Sequence, residues 1–537
     1  MSAPDLVLIE GDIRTLDPFH PRATAMAVAG GRVVALGEDA AIRSLAGPRT
    51  RVIAAGGRLV LPGFQDTHIH LQDSGQDYSQ NADLTAAENP EDMVAMLAAF
   101  AGTHRRPWVN GTGWSSATFG AGNLDRHLLD RAVPDRPCLI VASDGHNGCL
   151  NSRAIAALGL DGATPDPLNG HFVRDAAGVA TGLLYETAVT WAEARMPQPT
   201  DEDFMAGVLW AQDLAHRHGI TGVLDARVEE RHVRVYRRLA GEGRLTLRIA
   251  ATALVTPGDS VEGAVARLTG FRAAAPEGPF KVHSAKFFFD GVFENRTAAM
   301  LAPYADAQGG NAPVMFEADH IAALFTALDA ARFQIHVHAI GDAATRAALD
   351  GLEAARAVNG AWPAWHQIAH LQSVDPGDIP RFAALGAMGN VQPLWAQGEP
   401  SVTEMTLPLL GPSRSRWVYP FRALLDAGAR LALSSDWGVS TLNPFPIIET
   451  AVTRRPPGGG IPAFLPEECI GRAEAVAGYT LNAAAAAWRP GTGTLGLRQA
   501  ADFIVLDRDI FAVPEAAIGD TRVLLTAVGG RVVHDLM

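Results

Sequence analysis

Between residues 59 and 434, short apolar runs alternate with alanine-rich stretches of helical spacing, and few folds accommodate that alternation. The strand-like runs are Leu59–Phe64, Ile220–Leu224, Leu245–Leu254, His283–Phe289, Phe333–His338, Gln367–His370, Ala387–Val391 and Arg430–Ser434. Helical patterns such as Asp201–His218, Ser260–Ala274, Ala318–Ala331 and Ala343–Ala357 lie between them. Strand–helix–strand order implies parallel strands. Eight of them predict an α/β fold, a closed (β/α)8 TIM barrel, with its chemistry at the C-terminal ends of the strands. Two further runs, near Trp108–Gly111 and Cys138–Ala142, spoil the count and are assigned to an insertion at about 72–205. That insertion follows the first barrel strand.

Both ends of the chain read as β-structure. Ala25–Ala29, Gly30-Gly31 and Arg32–Leu36 form a predicted hairpin with a glycine turn, and Val523–Val528, Gly529-Gly530 and Arg531–Val533 repeat the texture. Residues 1–58 and 488–537 are therefore expected to build one composite β-sandwich domain around a barrel spanning 59–487.

Composition narrows the function classes. The net charge is −14, from 44 Lys+Arg against 58 Asp+Glu, and no basic cluster stands out, which argues against nucleic acid as the partner. No apolar run approaches the ~20 residues that span a bilayer. The N-terminus shows no basic segment followed by an apolar one. Cys138, Cys149 and Cys469 are far apart and include no C-x-x-C pair. The expectation is a cytoplasmic protein, off the membrane, acting on a small molecule.

The polar residues near the strand ends carry the chemistry. In Leu61-Pro-Gly-Phe-Gln-Asp-Thr-His-Ile-His70 an apolar run leads into two histidines one residue apart. On extended backbone His68 and His70 point to the same side and can share one metal ion, for which zinc is a natural choice. Lys286 sits in Ala285-Lys-Phe-Phe-Phe-Asp290. An unpaired buried ammonium is costly, so this lysine should be neutral, paired or modified. His338 and His370 end the fifth and sixth runs, and Asp436 follows the eighth. His336 and His283 read as core histidines. Asp66 either supports the histidine pair or serves the strand-end turn.

These segments resemble the amidohydrolase superfamily, and within it the amidohydrolase-3 group of YtcJ-like proteins and N-substituted formamide deformylases. The matching segments are L-P-G-F-Q-D-T-H-I-H (61–70), S-D-G-H-N-G-C-L-N-S-R-A (143–154), K-F-F-F-D-G (286–291), H-V-H-A-I-G-D (336–342), I-A-H-L-Q (368–372), S-S-D-W (434–437) and T-L-G-L-R-Q-A-A-D-F-I-V-L-D (494–507). The resemblance implies the barrel-plus-sandwich fold and a hydrolase with one or two divalent metal ions, zinc foremost. By that resemblance His68 and His70 would bind the more buried ion and His338 and His370 the second. Lys286 would bridge them as a carbamate, or stay unmodified beside a single ion. Asp436 would ligate the first ion and act as general base, then general acid, in cleaving an amide-like C–N bond outside peptides. An ester, lactone, carbamate or amidine substrate remains open on the same site, as does a non-catalytic regulatory or scaffolding role.

The substrate side is thinner. His146, in Ser143-Asp-Gly-His-Asn147, resembles a family position where an insertion histidine faces the metal centre. Glu186, Trp114, Phe289, Phe293, Trp395 and Trp437 are candidates for a substrate pocket. The related proteins often carry an acid after the G-x-G-W run, whereas Ser115 follows Trp114 here. Arg227 and Arg296 read as solvated. A homo-oligomer is the expectation by analogy with similar barrels.

Overall fold

The computed structural model describes residues 3–114, 124–142, 147–275, 278–293 and 295–537. It forms two compact units, Met1–Gln72 with Leu209–Met537, and Asp73–Val208.

The first unit contains an eight-stranded parallel sheet: β1 (Phe64–Ile69), β2 (Ile220–Val228), β3 (Arg248–Leu254), β4 (Phe280–Phe288), β5 (Gln334–Ala339), β6 (Gln367–His370), β7 (Met388–Val391) and β8 (Arg430–Leu433). Neighbours in sequence are neighbours in the sheet throughout. Bonds across β1 and β8 close the ring: Asp436 N donates to His68 O at 2.8 Å, and His70 N to Trp437 O at 2.6 Å. The Thr67 hydroxyl reaches Leu433 O at 3.2 Å. This is the expected (β/α)8 barrel. Helices alternate with the strands where the helical spacing lies. Val261–Ala274 is one, capped by the Ser260 hydroxyl, which accepts from Gly263 N.

The run Leu59–Phe64, read as one barrel strand, is split in two. Leu59–Pro62 pairs with Phe503–Leu506 antiparallel and with Asp12–Arg14 in parallel, so it belongs to the terminal β-domain. Gly63 turns the chain into β1. A Cβ there would lie 2.3 Å from Thr221 Cγ2, so glycine leaves the space that the Thr221 side chain fills. His68 consequently lies within β1, and His70 follows its last residue.

The terminal strands form two sheets. Leu6–Ile9, Ala25–Ala29, Arg32–Gly37 and Arg51–Ala54 make one of four strands. The other has six and interleaves both chain ends, in the order 531–535, 523–528, 503–506, 59–62, 12–14, 22–23. Leu8, Met26 and Val28 share a buried core with Phe503, Val505 and Leu525, which joins the sheets as a sandwich.

The second unit is built on its own six-stranded sheet, ordered 170–174, 180–186, 147–150, 138–142, 109–114, 81–83. Met93 and Leu97 of one helix and Leu129 of another pack with Ile140 in one core; Leu139, Phe172 and Leu184 pack with Val189 in another. The runs near 108–111 and 138–142 are thus strands of this sheet. No helix among the described residues is long and apolar enough to cross a membrane.

Candidate metal centre

Six side chains from β1, β4, β5, β6 and the turn after β8 converge at the C-terminal mouth of the barrel. One ligand atom each from His68, His370 and Asp436 lie within 4.8 Å of one another. Asp436 Oδ1 stands 3.3 Å from His70 Nε2 and 3.6 Å from His68 Nε2. Two ligands about 2.1 Å from one tetrahedral zinc ion lie about 3.4 Å apart, so this spacing suits a shared ion. Among the described residues nothing donates a hydrogen bond to the buried Asp436 Oδ1, which leaves an acceptor available to a cation. Lys286 Nζ is 3.3 Å from His68 Nε2, and the rings of His338 and His370 are 4.4 Å apart. The donor set fits one or two divalent ions.

The electrostatics agree with that use. Burial, reinforced by Lys286 and neighbouring imidazoles, pushes His68 well below its usual pKa and so favours neutral imidazole, the form that ligates metal. Burial and the same neighbours act likewise on His338. Burial alone would raise Asp436, but His70, His370 and Lys286 outweigh it and hold the carboxyl below its ordinary value. Lys286 is fully buried, and the cost of dehydrating its ammonium lowers its pKa to about 7. His370 and Asp436 have φ of 76° and 54°, a region non-glycine residues seldom occupy and one often held at functional sites.

Partners behind the cluster fix which ring nitrogen faces inward. His370 Nδ1 donates to Gln392 Oε1 at 2.8 Å, leaving Nε2 for the centre. Gln392 is held in turn by Ser434 and Asn390, and Asn390 Nδ2 donates to Gln367 Oε1 at 2.7 Å. Gln367 donates to Gln334 Oε1, also at 2.7 Å, so a buried amide chain crosses β5, β6 and β7 to support one imidazole. Sequence reasoning missed this chain. Its signal was four amide side chains in or beside apolar strands. His336 Nε2 lies 3.0 Å from His68 Nδ1, which makes it a supporting core histidine and turns His68 Nε2 toward Lys286 and Asp436. His338 Nε2 faces Gly291 O at 3.4 Å, leaving Nδ1 for the centre. Asp66 accepts from the backbone amides of His68 and Ser435, so it joins β1 to the turn after β8 rather than holding an imidazole. His283 is a core residue bonded to Ala486 O.

The aromatic expectations divide. Trp395 stacks on His370 with centroids 6.1 Å apart, and Trp437 sits in the turn that follows Asp436 and stacks on Trp210. Phe289 is a correction: it is fully buried against Phe316 and Phe325, in the core. Alternation along β4 turns its neighbour Phe288 inward instead, with Lys286 Nζ 4.7 Å above its ring and His338 at 5.3 Å. Phe293 is likewise buried, against Tyr304. Arg227 pairs with Glu229 and Arg296 with Asp306. In the second unit Trp114 is buried in the core and Glu186 is exposed at a strand end. His146 lies outside the described residues.

Residues 51–534 match the model of the Amidohydrolase family. The chain belongs to that family. Among curated proteins, this amidohydrolase is 28% identical over 542 residues to the protein LONG AFTER FAR-RED 3 of Arabidopsis thaliana, covering 98% of this chain and 91% of the relative. It is 27% identical over 543 residues to an N-substituted formamide deformylase of Arthrobacter pascens, covering 98% and 97%. A crystal structure of an uncharacterized metal-dependent hydrolase from Pyrococcus horikoshii OT3 shares the fold, with a TM-score of 0.76 at 23% identity over 95% of this chain and 99% of that one. The protein is a metal-dependent hydrolase by family.

Proposed function

We propose that this amidohydrolase cleaves a carbon–nitrogen bond of a small, non-peptide amide, with His68, His70, Lys286, His338, His370 and Asp436 holding one or two divalent ions. The observation that carries the reading is the convergence of His68, His370 and Asp436 ligand atoms within 4.8 Å at the barrel mouth. Zinc suits four imidazoles and a carboxylate. When bound, such an ion supplies Lewis-acid polarisation of the carbonyl and lowers the pKa of water toward neutrality.

The chain's own groups do the rest. Asp436, held ionised, takes a proton at Oδ1 from the attacking water and returns it to the leaving nitrogen, so that the amine departs neutral. Lys286 is partly free amine near neutral pH, the form that adds CO2 to give a carbamate with release of one proton. That exchange would replace a dehydrated cation with a two-oxygen anion suited to divalent metal. Trp395 and Phe288 flank His370 and His338 with apolar surface, which favours an uncharged alkyl or aryl group beside the scissile bond. The formamide deformylase relative supports the choice of a C–N bond.

The test is a hydrolysis screen of the zinc-loaded protein on N-alkyl formamides, other small amides and matched esters, with Asp436→Asn alongside. Amide turnover that falls by about 10²–10⁴-fold in the variant is expected. Turnover of esters alone would overturn the bond class, and inertness toward the whole panel would overturn the enzymatic reading.

A further inference from the structure

At the other end of the barrel, where β3 and β4 begin, a cavity of about 390 Å³ opens between the barrel base and the terminal sandwich. Its charged lining is wholly cationic: Arg32 from the sandwich hairpin, Arg248 opening β3, Lys281 near the start of β4, and Arg489 after the last barrel helix. One carboxylate serves the group. Asp502 binds Arg248 at 2.6 and 2.9 Å and also accepts from Gly529 N, which uses its oxygens locally. Among the described residues Arg32, Lys281 and Arg489 form no ion pair, and their bonds go to neutral carbonyls. Arg32 reaches Arg498 O, Lys281 Nζ reaches Trp488 O at 2.6 Å, and Arg489 reaches Ile249 O and Pro279 O.

Keeping the Lys281 and Arg489 cations out of water without counter-ions is unfavourable. Burial, with Arg489 adding repulsion, lowers Lys281 to about 7. Burial and Arg248 bring Arg489 down to about 10. Nothing in the barrel chemistry uses these groups. The wall opposite them is made of glycine. Gly31 and Gly529 belong to the two hairpin turns, at φ 74° and 55°, and a Cβ on Gly31 would sit 3.1 Å from Gly529 O. A Cβ on Gly529 would point at Arg248, 3.7 Å from its guanidinium, and one on Gly491 would approach Arg32 at 3.9 Å. Glycine therefore keeps open the space in front of the cations.

We propose that this cavity is an anion site for a phosphate group, and that the bound anion fastens the sandwich to the base of the barrel. Lys281 bonds one carbonyl and retains two N–H donors, and Arg32 and Arg248 add guanidinium donors suited to a tetrahedral oxyanion. The volume falls in the range of small-molecule sites, so the phosphate is either free or carried by a small monoester. The site is separate from the metal residues and does not rest on the proposed hydrolytic activity.

The experiment is a thermal-shift titration of the metal-loaded protein with inorganic phosphate and with glycerol phosphate. Sodium chloride of matched ionic strength is the control. Lys281→Met and Arg32→Ala are titrated in parallel. The expected result is a saturable rise in Tm with phosphate beyond the chloride control, with the midpoint moved at least about tenfold higher in both variants. Tighter binding of the monoester identifies a phosphorylated small molecule as occupant; equal binding identifies free phosphate. Arg32 is exposed, so its variant serves if Lys281→Met fails to fold. A wild-type response no larger than that to chloride would overturn the proposal. So would saturation unchanged in the variants, which would place phosphate elsewhere, the metal centre included.

Discussion

His370 shows how far a candidate ligand's orientation is set by the residues behind it. Its Nδ1 is committed to Gln392, and that one bond decides which nitrogen is free for the ion. Gln392→Ala is expected to weaken zinc affinity by about 10–100-fold with the fold intact, as measured by chelator competition. His216 carries a different prediction. Its Nδ1 donates to Ile220 O and its Nε2 faces the Thr246 hydroxyl, and burial lowers its pKa to about 4 from 6.5. Between those values the unfolded chain binds a proton that the native state does not. Stability is therefore complete above pH 6.5 and falls as pH drops toward 4, by about 3 kcal/mol for this residue. Urea denaturation at pH 7.5, 6 and 4.5 should show wild type losing that much more than His216→Asn; parallel losses would contradict it. The six side chains that gather at the barrel mouth stood out in the sequence because each is polar at or near the end of an apolar run. Phe288 and Phe289 were not separable, because two adjacent phenylalanines differ only in strand parity and sequence does not mark where parity starts. The amide chain from Gln334 to Gln392 was hidden because its members meet only across three strands.

Among elements, the seam at Gly63 governs how sandwich and barrel join. Leu59–Phe64 reads as one apolar run in sequence, yet Leu59–Pro62 and Phe64 belong to different sheets. Pro62-Gly63 was the available punctuation, but apolar residues flank it on both sides, Leu61 before and Phe64 after. Gly63→Val would drive a branched side chain into Thr221 and is expected to cost about 1–3 kcal/mol by thermal or urea unfolding. Thr221→Ala in the same chain should recover part of the loss; no recovery would place the strain elsewhere. The other barrel strands were readable because helical spacing separates each from the next.

For the molecule as a whole, eight parallel strands bring residues more than 360 positions apart, from His68 to Asp436, to one rim. Alternation of strand and helix made that closure legible, and the β-rich termini made the composite sandwich legible. The sheet of Asp73–Val208 was less so, because its short strands carry little periodicity of their own. Binding to the native centre alone should also stabilise the protein. Zinc at about 1,000 times its Kd is expected to add about 4 kcal/mol over chelator-treated protein. The most direct measurement is metal per chain by plasma mass spectrometry, on protein purified without chelators and with bicarbonate present. The prediction is about one equivalent of divalent metal, or about two if Lys286 carries a carbamate, with loss on changing His68 and Asp436 together to alanine. Wild-type protein that holds no metal even after reconstitution would contradict the hydrolytic centre altogether.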